Sequence, residues 1–382
     1  MTTKQTNAPP ELFEKERVAR TENNVDDLQA IQFVILQTSK TEDELITNLK
    51  ILQNKRKQNH VCFKKLIEYA VGTNETVGFL EKMLNEVVAG KMYLESERVA
   101  IVEKLEKLHL KQNNTVGAYE VLSSVPIETF TSVDERKKNE ILFETFRLGF
   151  MLKKHVECEL TLRKIRQVDL TKEEKIRFLN YKIFLLVAQG TFLGVARMYM
   201  ELIAIERSQK NVVLGSYYAI IANSFYESSC GIKEERNRLI KEYAEHTMNS
   251  EQMRVVLVEF WKTSILNKAI LKDIKVVVQQ YEAKMEFNEE ALLNALHEHN
   301  FNAIQTFFTK ATLKEIAFLM QINEDEAVEF ISRAVNEKIV AVKIDQENGM
   351  VDLGPKRWND KVDGVLDRII DVNHIIEMET ME

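Results

Sequence analysis

From Ser96 onward, apolar residues recur at helical spacing in blocks of similar length separated by polar punctuation. Four stripes stand out: Ile101, Leu105 and Leu108; Leu142, Phe146 and Phe150; Ile176, Leu179, Ile183 and Leu186; and Leu214, Tyr218, Ile221 and Phe225. Each is a three-to-four period, which puts its members on one face of an α-helix and leaves that face in need of a neighbour. The pattern predicts helix starts near Ser96, Asp134, Lys172 and Val212, at intervals of 38, 38 and 40 residues. A period of that size is the mark of stacked helical hairpins. Asn113-Asn114, Pro126 and Gly190 supply the breaks, and Ser132-x-x-Glu135 and Thr171-x-x-Glu174 match the capping box at helix entry. Upstream, Thr41-x-x-Glu44 predicts another helix running to about Gln53, and the polar stretch Met1 to Asn24 reads as a flexible lead segment.

The pattern changes after Asn288. Helices are predicted to about Phe308, from Leu313 to Met320, and from Asn323 to about Asn336. Strict alternation follows, with Val340, Val342 and Ile344 against Ala341 and Lys343, then a turn at Asn348-Gly349 and a second strand from Met350 to Leu353. Three helices and a two-stranded wing make a winged helix. Past Pro355, Val362, Leu366, Ile369, Val372 and Ile376 form one last apolar stripe. The predicted architecture is therefore mostly α: a right-handed solenoid of hairpins resembling tetratricopeptide repeats over 25–250, then a module over 251–355 whose winged helix covers about 289–355. A terminal amphipathic helix over 356–382 completes it.

Composition supports the helical class. Only four of the 382 residues are Pro, and none lies between Ile127 and Gly354. A net charge of −7 argues against a general affinity for nucleic acid or anionic membranes. The cysteines Cys62, Cys158 and Cys230 are odd in number and far apart, so they form no disulfide framework and read as packing residues. No stretch is long and apolar enough to span a bilayer and Met1 to Pro10 has no secretion-signal core, so a soluble intracellular chain is expected.

The candidate chemistry is thin. The third helix of the winged helix carries Glu324, Asp325, Glu326, Glu329 and Glu337 against Arg333 and Lys338, a charge balance that repels phosphates. His297-Glu298-His299 has the look of a metal pair, but Phe307 and Lys310 stand where a metalloprotease of the JAMM type would place its Ser and Asp. Two polar residues near a helix end is the simpler account. The basic run Lys55-Arg56-Lys57 reads as a solvated helix end ahead of a localisation signal. Phosphate-loop, dinucleotide, zincin and nucleophile-elbow motifs are all missing, so no cofactor, metal or catalytic residue is assigned.

Helical repeats leading into a winged helix and a terminal helix resemble the PCI-domain proteins. Gly90 to Leu148, especially Lys91, Tyr93, Glu95, Glu97, Arg98, Ala100, Glu128 and Thr129, and Phe307 to Leu353 are similar to the regulatory-subunit-12 family of 26S proteasome lid proteins. That resemblance implies a non-catalytic scaffold in cytoplasm and nucleus, with other PCI subunits, the deubiquitinating metalloprotease, proteasomal ATPases and core particle as partners. It implies that Ile339, Val340, Val342, Ile344, Met350, Val351 and Leu353 form a wing meeting a neighbouring subunit. Val362, Leu366, Ile369, Val372 and Ile376 would enter a helix bundle. A signalosome PCI subunit and a winged-helix nucleic-acid binder are the alternatives.

Overall fold

The computed structural model describes residues 10–22, 24–39, 41–222, 232–282, 287–336, 340, 342–345, 348–353, 366 and 369. The chain divides into two compact units, Met1–Phe178 and Leu179–Glu382. The predicted solenoid over 25–250 is thus divided at 178/179.

In the first unit the helices are α1 (Pro10–Glu22), α2 (Val25–Gln37), α3 (Glu42–Gln53), α4 (His60–Thr73), α5 (Val77–Lys82), α6 (Glu95–Lys111), α7 (Thr115–Ser123), α8 (Glu135–Met151) and α9 (His155–Lys164). The α5 helix widens into one π-helical turn over Met83–Val88. Helix α10 (Lys172–Gln189) carries the chain through 178/179. One apolar core, running from Ile35 to Leu148 in sequence, binds α2 to α8.

The helix starts that the stripes place at Ser96, Asp134 and Lys172 fall at Glu95, Glu135 and Lys172. A repeated turn accounts for the regularity. Asn113, Lys153 and Gly190 all take positive φ, at 56°, 58° and 76°. Behind each, the next residue bonds back five positions: Asn114 N–H to His109 O at 2.9 Å, Lys154 N–H to Gly149 O at 3.0 Å, and Thr191 N–H to Leu186 O at 3.0 Å. This is the Schellman stop, which closes the last carbonyls of a helix and turns the chain back for the next. Asn and Gly announce it in sequence, whereas Lys153 does not. Because a side chain in the left-handed region costs about 1 kcal/mol, Lys153→Gly should raise the denaturation midpoint by about 0.5–1 kcal/mol of stability. An unchanged or lower midpoint would show that Lys153 is unstrained.

Two local expectations need correction. The lead segment is helical from Pro10, because Glu16 is fully buried and held by Arg20 Nε at 3.1 Å, Lys55 Nζ at 3.2 Å and Gln32 Nε2 at 3.4 Å. Lys55 also lies 4.5 Å over the Phe13 ring, so the first residue of the basic run is a clamp on α1 and not a solvated charge. Ser132 likewise does not cap α8. With Thr131 it turns toward the preceding repeat, where the buried Glu95 carboxylate accepts from Thr131 N–H at 2.8 Å, Ser132 N–H at 3.0 Å and Ser132 Oγ at 2.9 Å. Burial opposes the charge, but these bonds win and hold the Glu95 pKa below its usual value. At Thr171 the capping box forms, with Glu174 N–H reaching Thr171 Oγ1 at 3.4 Å and the Glu174 carboxylate accepting from Thr171 N–H at 2.8 Å, and Thr41 caps α3 by accepting from Glu44 N–H at 3.3 Å.

Between α6 and α8 sits a carboxyl pair that the sequence does not flag. Burial first, then the facing Glu144, lift Glu106 to about 7. Arg147 and Arg177 hold Glu144 ionised, and Arg147, then Lys107, partly offset the rise at Glu106. Between about pH 4.5 and 7 the folded chain binds more protons here than the unfolded chain, so this pair lowers stability as pH rises through that window. Glu106→Gln should therefore add about 1–2 kcal/mol at pH 8 and little at pH 4.5, allowing for partial solvation of the site. A pH-independent effect in urea melts would contradict the shared-proton account.

The second unit continues with α11 (Phe192–Ile205), α12 (Gln209–Ile221), α13 (Ile232–Glu245), α14 (Glu251–Trp261), α15 (Ala269–Tyr281) and α16 (Glu289–Phe307). Helix α12 starts three residues before the predicted Val212. It is buried nearly all round and is the hub of this unit's core. Gly215 permits that: a Cβ there would lie 2.2 Å from the Tyr243 hydroxyl, which donates to Ala196 O at 2.7 Å. The three helices α11, α12 and α13 meet at this one missing side chain.

Candidate protein-interaction surfaces

The end of the described chain builds a second, smaller core. Strand β1 (Lys310–Thr312), α17 (Leu313–Met320), α18 (Glu324–Asn336), β2 (Lys343–Asp345) and β3 (Met350–Asp352) follow α16. The sheet has three strands in the order β1-β3-β2, all antiparallel, with Ala311 and Ile344 both opposite Val351. The two-stranded expectation missed β1, a run of three residues too short to show a period. Thr312 ends β1 and caps α17 with a full capping box to Glu315. Leu313 N–H donates to Gly349 O at 2.9 Å and Leu353 N–H to Thr309 O at 2.8 Å, which fastens the wing to the start of α17. Gly349, at φ +63°, makes the turn.

The predicted wing residues divide by depth. Val351, Leu353 and Val342 are buried at 0, 3 and 8% exposure among Phe301, Ile304, Ile316, Met320, Phe330 and Ile331. Val340 and Ile344 pack against the same cluster, Met350 is half-buried, and Ile339 lies outside the described residues. As interface side chains, Val342, Val351 and Leu353 are therefore corrected: strand alternation turns them onto the module's own helices. What this wing presents outward is Lys343, Asp345 and Asp352, together with the outer edge of β2, which has no strand beside it among the described residues.

Exposed apolar side chains mark other faces. Phe318 on α17 is 82% exposed, and Phe307 and Phe308 at the end of α16 are 64 and 42% exposed. Phe318 was legible: the inward stripe of α17 is Leu313, Ile316, Ala317 and Met320, and Phe318 falls off it. Phe307 and Phe308 continue the buried stripe of Ala303 and Ile304 and would be assigned to the core by period alone. In the terminal stripe Leu366 and Ile369 have helical backbone and are about half exposed, at 49 and 50%. Val362, Val372 and Ile376 lie outside the described residues.

Helix α18 keeps its acidic character in three dimensions. Glu324, Asp325 and Glu329 face solvent, Glu326 closes on Asn323 N–H at 3.2 Å, and Arg333 turns back to Asn294 Oδ1 at 3.0 Å. The helix that would enter a major groove thus presents carboxylates, which phosphates repel. Glu337 and Lys338 lie outside the described residues.

His297 and His299 stand in the middle of α16 and not at its end. Burial, chiefly, pushes both down to about 4, so they are neutral near pH 7. His297 meets the Phe330 ring edge-on, and His299 bonds Ser264 O at 2.9 Å through Nε2. Between them Glu298 pairs with Arg236 of α13 at 3.6 Å, both side chains nearly fully buried. These are tethers inside the fold. Among the described residues no three His, Cys, Asp or Glu gather as metal ligands would, and no helix is long and apolar enough to cross a membrane. Cys62 and Cys158 are buried in α4 and α9. Burial raises both thiols, Cys158 to about 11, which keeps them protonated and poorly nucleophilic. Cys230 lies outside the described residues.

Two family models match the chain. A family model described as "PSMD12/CSN4, N-terminal" matches residues 11–211, more than half of the chain. A second, the PCI domain, matches residues 241–354. The chain is similar to the 26S proteasome non-ATPase regulatory subunit 12 of Dictyostelium discoideum, at 21% identity over 87% of this chain and 79% of that protein. It is 26% identical to 26S proteasome non-ATPase regulatory subunit 12 homolog A of Arabidopsis thaliana, over 97% of this chain and 95% of the relative. The 26S proteasome regulatory subunit RPN5 of Saccharomyces cerevisiae is 21% identical over 88% of this chain and 82% of its own length. With its helical N-terminal repeats matched as one family and its winged helix as a PCI domain, this chain belongs to the PSMD12/CSN4 family.

Proposed function

We propose that the chain is a non-catalytic scaffold subunit of the 26S proteasome regulatory particle lid, active in ubiquitin-dependent protein degradation. The observation that carries this is the pairing of both family matches, over 11–211 and 241–354, with relatives named as proteasome regulatory subunits along most of their length. The physical counterpart is a molecule whose polar groups are spent on holding helices together, with apolar side chains left at Phe318, Leu366 and Ile369 for other proteins to cover. Its work is geometric. Helical faces and wing hold the deubiquitinating metalloprotease, the ATPases and the core particle in position, in cytoplasm and nucleus. The wing meets a neighbouring PCI subunit through the β2 edge and through Lys343 and Asp345, with Ile339, Val340, Ile344 and Met350 beneath or beside the contact. Val362, Leu366, Ile369, Val372 and Ile376 enter a bundle with helices of other subunits.

A signalosome subunit would share this fold, and the family model spans both kinds of protein. The relatives named above favour the proteasome. The test is a pair of aspartates on the terminal stripe. Leu366→Asp with Ile369→Asp should reduce co-purification of lid subunits by roughly tenfold or more, since buried apolar anchors dominate such contacts. The melting temperature of the isolated chain should not move. Undiminished co-purification would remove the terminal helix from the interface.

A further inference from the structure

We propose that the groove between α1 and α2 is a docking site for a basic amphipathic helix of another protein. The groove measures about 510 Å³, inside the range of about 300–1,000 Å³ typical of sites that take organic groups. Helical spacing brings its walls together: Glu14, Val18 and Glu22 recur every fourth residue on one face of α1, and Asp27, Ala30 and Ile31 share a face of α2. Val18, Ala19, Ala30 and Ile31 make an apolar bed, in which Val18 is left 52% exposed. Val34, one turn further along the same face of α2, is 42% exposed. The two helices are fixed to each other, because the buried Glu16 binds Gln32 of α2 as well as Lys55, while Leu12 and Phe13 pack on the first core. The groove is therefore formed before a partner arrives, and little ordering accompanies binding.

The charged lining selects the partner. Glu14, Glu22 and Asp27 stand against Lys15, which leaves three carboxylates to one ammonium, a net charge of −2. Among the described residues none of these carboxylates is ion-paired, and Asp27 accepts from the neutral Asn24 Nδ2 at 2.5 Å. The remaining cations of α1 do not fill the deficit: Arg20 is engaged with Glu16 and the Arg56 carbonyl, and Arg17 does not line the groove. Such a lining repels the phosphates of nucleic acid and of anionic lipid. Helical walls have no free backbone edge to pair with a strand, so side chains are all that the groove offers, and a helix laid along it is the matching mode. Apolar residues at i, i+3, i+4 and i+7 of that helix fill the bed, and Lys or Arg beside them meet the carboxylates. Each wall is 13 residues long. That is about 20 Å, so about three to four turns of the partner suffice. The site goes beyond the scaffold reading and stands without it.

The test titrates the purified full-length chain with a labelled peptide of about 18 residues, long enough to keep helix in water, with Leu on one face and Lys on the others. A second peptide carries Glu in place of Lys. Fluorescence anisotropy is the readout. The basic peptide should bind saturably and more tightly than the acidic one by about tenfold or more, with the gap closing as salt rises. Glu14→Lys with Glu22→Lys turns the lining from −2 to +2 and should reverse the order of the two peptides. Glu120→Lys with Glu140→Lys changes the charge of the chain equally, lies off the groove and should leave the order as it was. Val18→Gln leaves the charge alone and should weaken the basic peptide by about fivefold. All five positions are exposed, so the melting temperature should stay in place. Equal binding of the two peptides, equal binding by the Val18 variant, or a reversal by the off-groove pair as well would overturn the proposal. So would self-association that Val18→Gln abolishes, which gives the groove to a second copy, or peptide binding seen only after removal of residues 1–9, which gives it to the chain's own lead segment.

Discussion

Replacing Glu298 by alanine should lower the stability of the second unit by about 3–5 kcal/mol, the largest effect expected of any single change in this chain. The reason is the company it keeps. Its side chain is 4% exposed and that of Arg236 is 8% exposed, so removing the carboxylate leaves a guanidinium in the interior with only one carbonyl to answer it. Burial already pulls the Arg236 pKa down against the support of Glu298. The loss would come from the uncompensated charge more than from the bond itself. The double variant Arg236→Met with Glu298→Leu should accordingly recover most of it. Denaturant melts of the single and double variants decide the matter. A single-variant loss below about 1 kcal/mol would mean that water reaches the pair.

Asn300 should be the next most sensitive position. It is fully buried on α16, where Oδ1 accepts from Leu266 N–H at 2.8 Å and Nδ2 donates to Leu266 O at 3.0 Å. One amide thus stands in for a strand partner and fixes the connection between α14 and α15. Asn300→Leu preserves volume but strands both backbone groups, at about 1–2 kcal/mol each, so a total of about 2–4 kcal/mol is expected. Gln321 reaches Leu266 O at 3.4 Å and softens the lower end of that range. Asn300→Asp keeps the acceptor, loses the donor and buries a charge against a carbonyl, so at pH 7 it should be at least as damaging as Asn300→Leu. If both variants melted like the parent chain, the α14–α15 connection would have to be held by other contacts.

The repeats were legible because their signal is periodic: stripes such as Leu142 and Phe146 predict both the helix and its buried face, and the starts fall within three residues. The winged helix was legible for the same reason at a period of two. What escaped was set by contacts between distant residues. Ser132 has the sequence of a cap, yet Glu95, 37 residues earlier, outbids the helix for its donors. Lys55 looks like a solvated charge until Glu16 of α1 is placed beside it. The wing shows the limit of alternation most clearly. It says which residues share a face, Val342, Ile344 and Val351 among them, but not whether that face meets a partner or the module's own helices. Two carboxylates such as Glu106 and Glu144 meet only when α6 and α8 are stacked, so no spacing rule could pair them.

The most direct test of the scaffold account is purification of the tagged full-length chain from cells, with its partners identified and peptidase activity measured in the same fraction. The account predicts co-purification with other lid subunits, the proteasomal ATPases and core-particle activity, with no activity in the isolated chain. A chain recovered as a solitary monomer, or with signalosome subunits and no proteasomal ones, would contradict it.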